Sequence, residues 1–353
     1  MILIKNARID GVPSSVTVEN GKILSVTAGD AAVAADRVID ARGAHLYAGL
    51  IDVHTHGILG MDTMDGDNLP ALAEAYLAAG TTSVFPTTVT AAQEDLARIL
   101  SQDISFAGGA NILGFHVEGP YINPSAAGAQ DPAYIKDPDL TEFSALQNAA
   151  IVTIAPEIEG ALNFIRESKA SVALGHTKCD EETALAAFRA GAKQLSHTCN
   201  AMPPLTHRAP GPIGAAIEAD AYAQVISDGL HIHKNMVLAL YRIFGVRRMV
   251  LISDSMRATG MPDGRYMLGG LEITVTGGVA RTEDGALAGS TTTLLGCVKK
   301  AISFGIPAKD AFCMASRTPA EMLGLSKGVI APGYDAEFIL VDDEYNLIDT
   351  LIL

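Results

Sequence analysis

Short apolar runs recur eight times through the middle of the chain, and each run ends in polar residues. The runs are LIDVHTH (50–56), TTSVFPT (81–87), ILGFHVEG (112–119), IVTIAPE (151–157), SVALGHT (171–177), QLSHTCNA (194–201), AQVISDG (223–229) and MVLISDS (249–255). Ala-rich stretches of helical character lie between them, as in residues 67–80, 94–104 and 179–192. Strands that alternate with helices predict an α/β fold, a (β/α)8 TIM-like barrel whose active site lies at the carboxyl ends of its strands.

The two ends of the chain differ from the middle because they are rich in β-strand patterns. Residues 1–48 contain alternating runs separated by turns such as ENGK, and residues 328–353 have the same character. We therefore expect a small β-sandwich domain built from both chain ends, residues 1–48 together with 328–353. Residues 49–327 then form the barrel domain, with a hairpin-like insertion at 269–290 after the eighth strand.

The composition limits what the core and the partners of the protein are. Of 353 residues, 48% are hydrophobic and none is Trp, so the core is built mainly from Ala, Val, Ile and Leu, as in parallel α/β folds. The formal net charge of −15 argues against nucleic acid or an anionic membrane as a partner. A phosphorylated ligand would need a local basic pocket.

The cysteines and the first residues of the chain predict a cytoplasmic protein. Cys179, Cys199, Cys297 and Cys313 form no CxxC pair, which suits a reducing compartment. The opening sequence MILIKNARIDG lacks the pattern of a signal peptide, and no run of about 18 apolar residues indicates a membrane span.

Two histidines close the first apolar run as HTH. Residues i and i+2 of a strand point to the same face, so His54 and His56 can face one point inside the barrel. A single histidine at such a place is more often a satisfied core or surface residue. Two in register at a strand end are stronger evidence for a ligand pair.

Four further polar side chains follow later apolar runs. They are Glu118, His176, His197 and Asp254. Burying such groups at a strand end is costly unless a partner or a metal ion compensates. Imidazoles combined with a carboxylate suit Zn²⁺ or another divalent transition ion such as Fe, Mn or Co.

A metal centre at this position predicts hydrolysis of an amide. A divalent ion lowers the pKa of a water molecule towards neutrality and polarises the scissile carbonyl. The departing nitrogen must also be protonated, which requires an acid/base group beside the metal. Asp254 is the candidate for accepting the water proton and returning it to the amine.

At these residues the sequence resembles the N-acetylglucosamine-6-phosphate deacetylase family of the amidohydrolase superfamily. The resemblance extends from about Gly49 to Gly328 and rests on the order of several motifs. These are GLIDVHTHG (49–57), FHVEGPYINP (115–124), LGHT (174–177), SHTCNAMPPLTHRAPGPIGA (196–215), SDGLHI (227–232), ISDS (252–255) and GALAGST (285–291).

The resemblance implies a role for each matching residue. Glu118, His176 and His197 correspond to the principal metal ligands, and Asp254 corresponds to the catalytic acid/base. Apart from the resemblance, His54 and His56 would be two neutral, buried imidazoles with no evident partner, and a second ion that shares Glu118 would satisfy both; the alternative is that they hydrogen-bond ordered water. The substrate positions are Ala129, Gln130, Asn200, Ala201, Arg208, His231, Leu287, Ala288 and Gly289. The family contributes the Arg across a dimer interface, which implies a homodimer in which Arg208 reaches the neighbouring site.

The implied reaction converts N-acetylglucosamine 6-phosphate into glucosamine 6-phosphate and acetate. N-acetylgalactosamine 6-phosphate is an alternative substrate, because Gln130 stands where the family commonly has a His near the scissile amide. Another amidohydrolase, such as a dihydroorotase or an acylamino-acid deacylase, is a second reading. Against it, those enzymes often bridge two metals with a carboxylated Lys, and no Lys ends an early run here. A non-catalytic barrel homologue is a third reading, although all six polar residues are retained.

Overall fold

Five strands open the chain in the computed structural model, which describes residues 1–31 and 33–353. They are β1 (Ile2–Ile9), β2 (Val12–Glu19), β3 (Lys22–Ala28), β4 (Arg37–Asp40) and β5 (His45–Ala48). The β1, β2 and β3 strands pair antiparallel, and β4 and β5 run parallel to β1. The alternation of apolar and polar residues in this part of the sequence thus corresponds to real strands.

The middle of the chain supplies the barrel. Its strands are β6 (Leu50–Thr55), β7 (Gly57–Ile58), β8 (Met61–Asp62), β9 (Thr81–Thr88), β10 (Asn111–Ile112), β11 (Phe115–Glu118), β12 (Ala149–Ile154), β13 (Ser171–Leu174), β14 (Gln194–Leu195), β15 (Tyr222–Ile226) and β16 (Met249–Ile252). Eight of them, β6, β9 and β11 to β16, pair in parallel in that order. Each of the eight apolar runs in the sequence overlaps one of these strands.

The barrel closes between its last and first strands through contacts near their carboxyl ends. The backbone N–H of Asp254 donates to the carbonyl of His54 at 2.9 Å. The Ser253 hydroxyl donates to the buried carboxylate of Asp52 at 2.5 Å. These bonds bring the end of β16 beside the end of β6, where the polar residues of both runs meet.

Ten helices surround the barrel or follow it in the described part of the chain. They are α1 (Leu69–Ala78), α2 (Gln93–Leu100), α3 (Leu140–Ser144), α4 (Ala161–Glu167), α5 (Glu181–Ala190), α6 (Gly211–Glu218), α7 (Lys234–Phe244), α8 (Leu294–Ser303), α9 (Ala308–Met314) and α10 (Arg317–Leu323). The α5 helix illustrates the local rules: the Asp180 side chain accepts from the N–H of Thr183 at 2.9 Å, and the helix ends before Gly191. None of the described helices has both the length and the apolar character that crossing a bilayer requires.

The predicted insertion after the eighth strand is a small antiparallel sheet. It consists of β17 (Gly264–Leu268), β18 (Leu271–Thr276) and β19 (Val279–Arg281). Its buried side chains, including Leu268, Ile273 and Val275, pack with Met256 from the loop after β16. The sheet therefore covers one side of the carboxyl end of the barrel.

The chain ends form a second domain, as the sequence predicts. The C-terminal strands β20 (Glu337–Val341) and β21 (Leu347–Ile352) complete a seven-stranded sheet in the order β21-β20-β5-β1-β2-β3, with β4 also paired to β1. The sheet curls, because Ile23 in β3 exchanges backbone hydrogen bonds with Gly333 and Tyr334. Its core is separate from that of the barrel and includes Ile4 and Phe338. The predicted fold class is confirmed, while the exact limits 1–48 with 328–353 and 49–327 stay a prediction.

Candidate active site

The six polar side chains predicted to lie at strand ends converge at one end of the barrel. His54 lies in β6 and His56 directly after it, and Glu118 is the last residue of β11. His176, His197 and Asp254 each lie two residues beyond β13, β14 and β16. All six are buried, with at most 7% of their surface exposed. The convergence of these residues follows from the shared direction of the parallel strands.

The Glu118 carboxylate lies at the centre of this group. Its Oε1 atom is 2.9 Å from Nε2 of His197 and 3.2 Å from Nε2 of His176. The same oxygen is 3.2 Å from Nε2 of His54, and Oε2 is 3.3 Å from Nε2 of His56. One carboxylate thus touches both histidine pairs, as a ligand shared by two ions would.

Hydrogen bonds fix the orientation of three imidazoles. In each, Nδ1 donates to an oxygen: His54 to Oε1 of Gln224 at 3.0 Å, His56 to the Thr87 carbonyl at 3.1 Å, and His176 to the Ala126 carbonyl at 2.9 Å. Their Nε2 lone pairs then face the carboxylate oxygens, which are also acceptors, so a proton or a cation must lie between them. Nε2 of His54 is buried and has no hydrogen-bond partner among the described residues. The donor set therefore fits a divalent metal ion.

The pKa values of His56 and Glu118 show that the site favours a positive charge beside a carboxylate. Burial lowers the pKa of His56, but hydrogen bonds to Asp254 and Glu118 outweigh it and raise that pKa well above its ordinary value. Burial raises the pKa of Glu118, but the surrounding imidazoles outweigh it and hold that pKa well below its usual range. A metal ion replaces such a proton, because its ligands bind as neutral imidazole and as carboxylate.

Asp254 faces the histidine pair from the last strand. Its Oδ1 atom is 3.3 Å from Nε2 of His56 and 3.6 Å from Nε2 of His54. Burial raises the pKa of Asp254, but the nearby imidazoles outweigh it and lower the pKa to about 2. The side chain is therefore a carboxylate at neutral pH, the form that a general base requires.

The backbone at three of these positions is strained. His176, His197 and Asp254 have φ angles of 48°, 23° and 48°, in or near the left-handed region that non-glycine residues rarely adopt. Strain of this kind concentrates at functional sites, where the surrounding structure holds it in place. All three residues lie two positions beyond the ends of their strands, and their side chains meet at the buried group around Glu118.

A cavity of about 440 Å³ opens onto the group of six buried side chains, which form the candidate metal-ligand group. Of the predicted substrate positions, Ala129, Gln130, Asn200, Ala201, His231, Leu287 and Gly289 line it. Ala288 does not, because it is fully buried in the core under the small antiparallel sheet. Arg208 is exposed on the loop before α6 and lies outside this lining. The volume suits a small molecule.

Comparison with known proteins identifies the family. The model of the amidohydrolase family matches residues 45–352. The chain belongs to the amidohydrolase family. Membership confirms the predictions of a hydrolase that acts on an amide and of a metal-dependent reaction.

Relatives of this amidohydrolase carry the names of amino-sugar deacetylases. It is 38% identical to the N-acetylglucosamine-6-phosphate deacetylase of Vibrio furnissii, over 95% of this chain and 88% of the relative. It is 39% identical to the N-acetylgalactosamine-6-phosphate deacetylase of Escherichia coli O157:H7, over 83% of this chain and 82% of the relative. The resemblance predicted from the sequence motifs is confirmed.

A solved structure of a related deacetylase has the same fold as this chain. The crystal structure of N-acetyl-D-glucosamine-6-phosphate deacetylase from Mycobacterium smegmatis superimposes with a TM-score of 0.90 at 31% sequence identity, covering 99% of this chain and 98% of that one. A mutant of the same enzyme has been solved in complex with N-acetyl-D-glucosamine-6-phosphate.

Gln130 lines the cavity and also contacts the Glu118 carboxylate. Its amide nitrogen donates to Oε2 of Glu118 at 2.7 Å, and its carbonyl oxygen accepts from the N–H of Thr90 at 2.6 Å. The side chain is therefore held against the Glu118 carboxylate and has only 4% of its surface exposed. In this amidohydrolase Gln130 orients Glu118 while it forms part of the cavity wall.

His231 lies in the cavity wall and is paired with a carboxylate. Its Nδ1 atom donates to Oδ2 of Asp228 at 2.7 Å, and both side chains are almost fully buried. Burial lowers the pKa of His231, but Asp228 outweighs it and raises that pKa above its ordinary value. The imidazolium form thus persists to higher pH than in a free histidine.

A pH dependence of substrate binding follows from this pair. If His231 serves the substrate phosphate, KM for a phosphorylated substrate stays low below the raised pKa of His231 and increases as the pH rises through it. Asp228→Asn removes the carboxylate that raises the pKa, so the increase in KM should move to lower pH. Steady-state kinetics from pH 6 to about 9 measure both profiles. Identical profiles in the two proteins would exclude His231 as the titrating group.

Several residues at the site are absent from the sequence predictions. Lys178, Ser125 and Cys199 line the cavity, and Gln224 and Asp228 orient predicted residues. Gln224 is a polar residue inside an apolar strand, and Asp228 lies in the SDGLHI motif. The sequence could therefore have indicated that both residues belong to the site. Lys178 follows LGHT directly, but nothing in the sequence indicates that its side chain borders a cavity.

Proposed function

We propose that this amidohydrolase removes the acetyl group from N-acetylglucosamine 6-phosphate, giving glucosamine 6-phosphate and acetate. The observation that carries the proposal is the Glu118 carboxylate, which touches both histidine pairs at the base of a cavity of about 440 Å³. The names of the Vibrio furnissii and Mycobacterium smegmatis relatives support this substrate. The Escherichia coli relative supports N-acetylgalactosamine 6-phosphate as the second candidate.

The proposed metal ligands divide into two sets that share one carboxylate. Glu118, His176 and His197 would hold one ion, and His54 and His56 with Glu118 would hold a second. Zn²⁺ suits this donor set best, and Fe, Mn or Co are alternatives. When bound, such an ion lowers the pKa of water and polarises the amide carbonyl. Because Glu118 belongs to both sets, it would take the place of the carboxylated Lys that bridges two metals in a dihydroorotase-like site.

Asp254 carries the proposed proton transfers. Its carboxylate accepts a proton from the attacking water as the new C–O bond forms at the acetyl carbon. The same proton then passes from Asp254 to the amide nitrogen while the C–N bond breaks, so the sugar leaves as a neutral amine. The low pKa of about 2 keeps Asp254 in the accepting form before the reaction begins.

The remaining cavity residues are proposed to hold the sugar and its phosphate. Asn200, Ala201 and His231 line the cavity and would contact the phosphate and hydroxyl groups. The wall residues Ala129, Gln130, Leu287 and Gly289 would surround the N-acetyl end, whereas the buried Ala288 lines no part of the cavity.

We also propose a cytoplasmic homodimer. Arg208 is exposed, lies outside the cavity of its own chain and has no ion-pair partner among residues 1–31 and 33–353. A planar cation placed in this way suits a phosphate held by a neighbouring subunit.

The four cysteines are unpaired in the structure, in keeping with a reducing compartment.

A substrate panel tests the proposed function. Acetate release is measured with N-acetylglucosamine 6-phosphate, N-acetylgalactosamine 6-phosphate and the two unphosphorylated sugars. We expect the highest kcat/KM for the glucosamine derivative and a clear preference for phosphate. A higher kcat/KM for the galactosamine derivative would select the second candidate. Equal rates with and without phosphate would contradict the proposed substrate class.

A further inference from the structure

A lysine borders the cavity that opens onto the metal-ligand group. Lys178 lies four residues after β13 and is exposed. It is the only lysine or arginine among the described residues that line the cavity. In a protein with a net charge of −15, this lysine places a positive charge beside the cavity.

The backbone around Lys178 is held firmly in place. Its N–H donates to Oε1 of Glu157 at 2.5 Å, and the hydroxyl of Thr177 donates to Oε2 of the same residue at 2.5 Å. Asn123 donates a third hydrogen bond to Glu157 at 2.8 Å. Glu157 is thus occupied by three donors, and the position from which the Lys178 side chain extends is defined.

The same segment contacts the proposed phosphate-binding part of the cavity. The N–H of Thr177 donates to the carbonyl of Ala201 at 3.0 Å, so Lys178 adjoins the strand-end loop that carries Asn200 and Ala201. The lysines that form ion pairs among the described residues are Lys5, Lys22, Lys136, Lys309 and Lys327, and Lys178 forms none. The charge is therefore available to an anionic ligand.

We infer that Lys178 is a specificity-determining residue that binds the phosphate of the substrate from within the same subunit. This inference rests on the proposed function and adds a contact to it. A flexible lysine beside Asn200, Ala201 and His231 supplies a point charge for a phosphate, while Arg208 belongs to the loop outside the cavity.

The experiment measures binding in metal-loaded protein that carries Asp254→Asn, so that the sugar is consumed at least about 100-fold more slowly. Calorimetry gives the Kd of N-acetylglucosamine 6-phosphate and of unphosphorylated N-acetylglucosamine. Lys178→Met should weaken the phosphorylated sugar about tenfold and leave the unphosphorylated sugar unchanged. Lys178→Arg should retain most of the affinity, because it retains the charge.

Lys169→Met provides the matched control. Lys169 is also exposed and lies just before β13, at the opposite end of the strand from Lys178. Its replacement should leave both Kd values unchanged. The inference would be overturned if the Lys178→Met variant bound the phosphorylated sugar as tightly as the protein that retains Lys178. It would also be overturned if the variant lost the same affinity for both sugars. Suppose that Lys178 contributes to phosphate-dependent binding, but the protein that retains Asp254 releases no acetate. That result would contradict only the proposed function.

Discussion

Replacing Asp254 with Asn should lower turnover by about 10²- to 10⁴-fold, the usual contribution of a positioned acid/base group. The amide has nearly the same size but accepts no proton from water, and it has none to return to the departing amine. Asp254 contacts the imidazoles of His54 and His56, and Glu118 keeps its own contacts in this variant, so the proposed ions should remain bound. The measurement combines kcat for acetate release with metal content per chain.

The control for this variant is Asp137→Asn, which changes an exposed carboxylate outside the cavity lining. Its turnover should match that of the unmodified protein. If Asp254→Asn kept near-normal kcat with full metal content, another group would have to transfer the proton. If it lost its metal, Asp254 would itself be a metal ligand.

Replacing Glu118 with Gln should remove both metal binding and activity. Glu118 touches four imidazoles, and the neutral amide lacks the negative charge that the two proposed cations would share. We expect metal affinity to fall by at least about 100-fold, since loss of an outer-shell partner alone costs up to that much. Metal content after dialysis, measured by elemental analysis, reports the change directly.

The two-ion proposal is tested in the same series. Glu159→Gln alters an exposed carboxylate and should retain full metal content. The double variant His54→Ala with His56→Ala should reduce the content after reconstitution from two ions to one. A ceiling of one ion in the unmodified protein, unchanged by the double variant, would exclude a second ion. Full activity and metal content in Glu118→Gln would exclude Glu118 as a ligand.

Much of the barrel and the metal-ligand group was predictable because strand direction imposes their geometry. Parallel strands buried on both faces form apolar runs, and the polar residue that follows each run marks its carboxyl end. His54, Glu118 and Asp254 come from distant parts of the sequence. The barrel nevertheless places the two carboxylates 3.2 Å and 3.6 Å from the His54 imidazole. The order of the strands was therefore enough to predict that these residues converge.

The contacts that orient the site were not predictable, because they depend on side-chain packing between loops. Gln130 binds Glu118 and the backbone of Thr90, a loop contact that no spacing in the sequence encodes. The burial of Ala288 follows from the small antiparallel sheet, which the sequence indicated only as a hairpin. Lys178 borders the cavity because Glu157 holds its backbone, and this pairing spans 21 positions.

The most direct test of the deacetylase proposal follows acetate and free amine together during hydrolysis of N-acetylglucosamine 6-phosphate. The protein is assayed metal-loaded, after chelation, and after readdition of Zn²⁺ or another divalent ion. We expect equal amounts of acetate and glucosamine 6-phosphate, loss of both on chelation, and recovery of both on readdition. Fully metal-loaded protein that releases no acetate, or chelated protein that releases as much as before, would contradict a metal-dependent deacetylase.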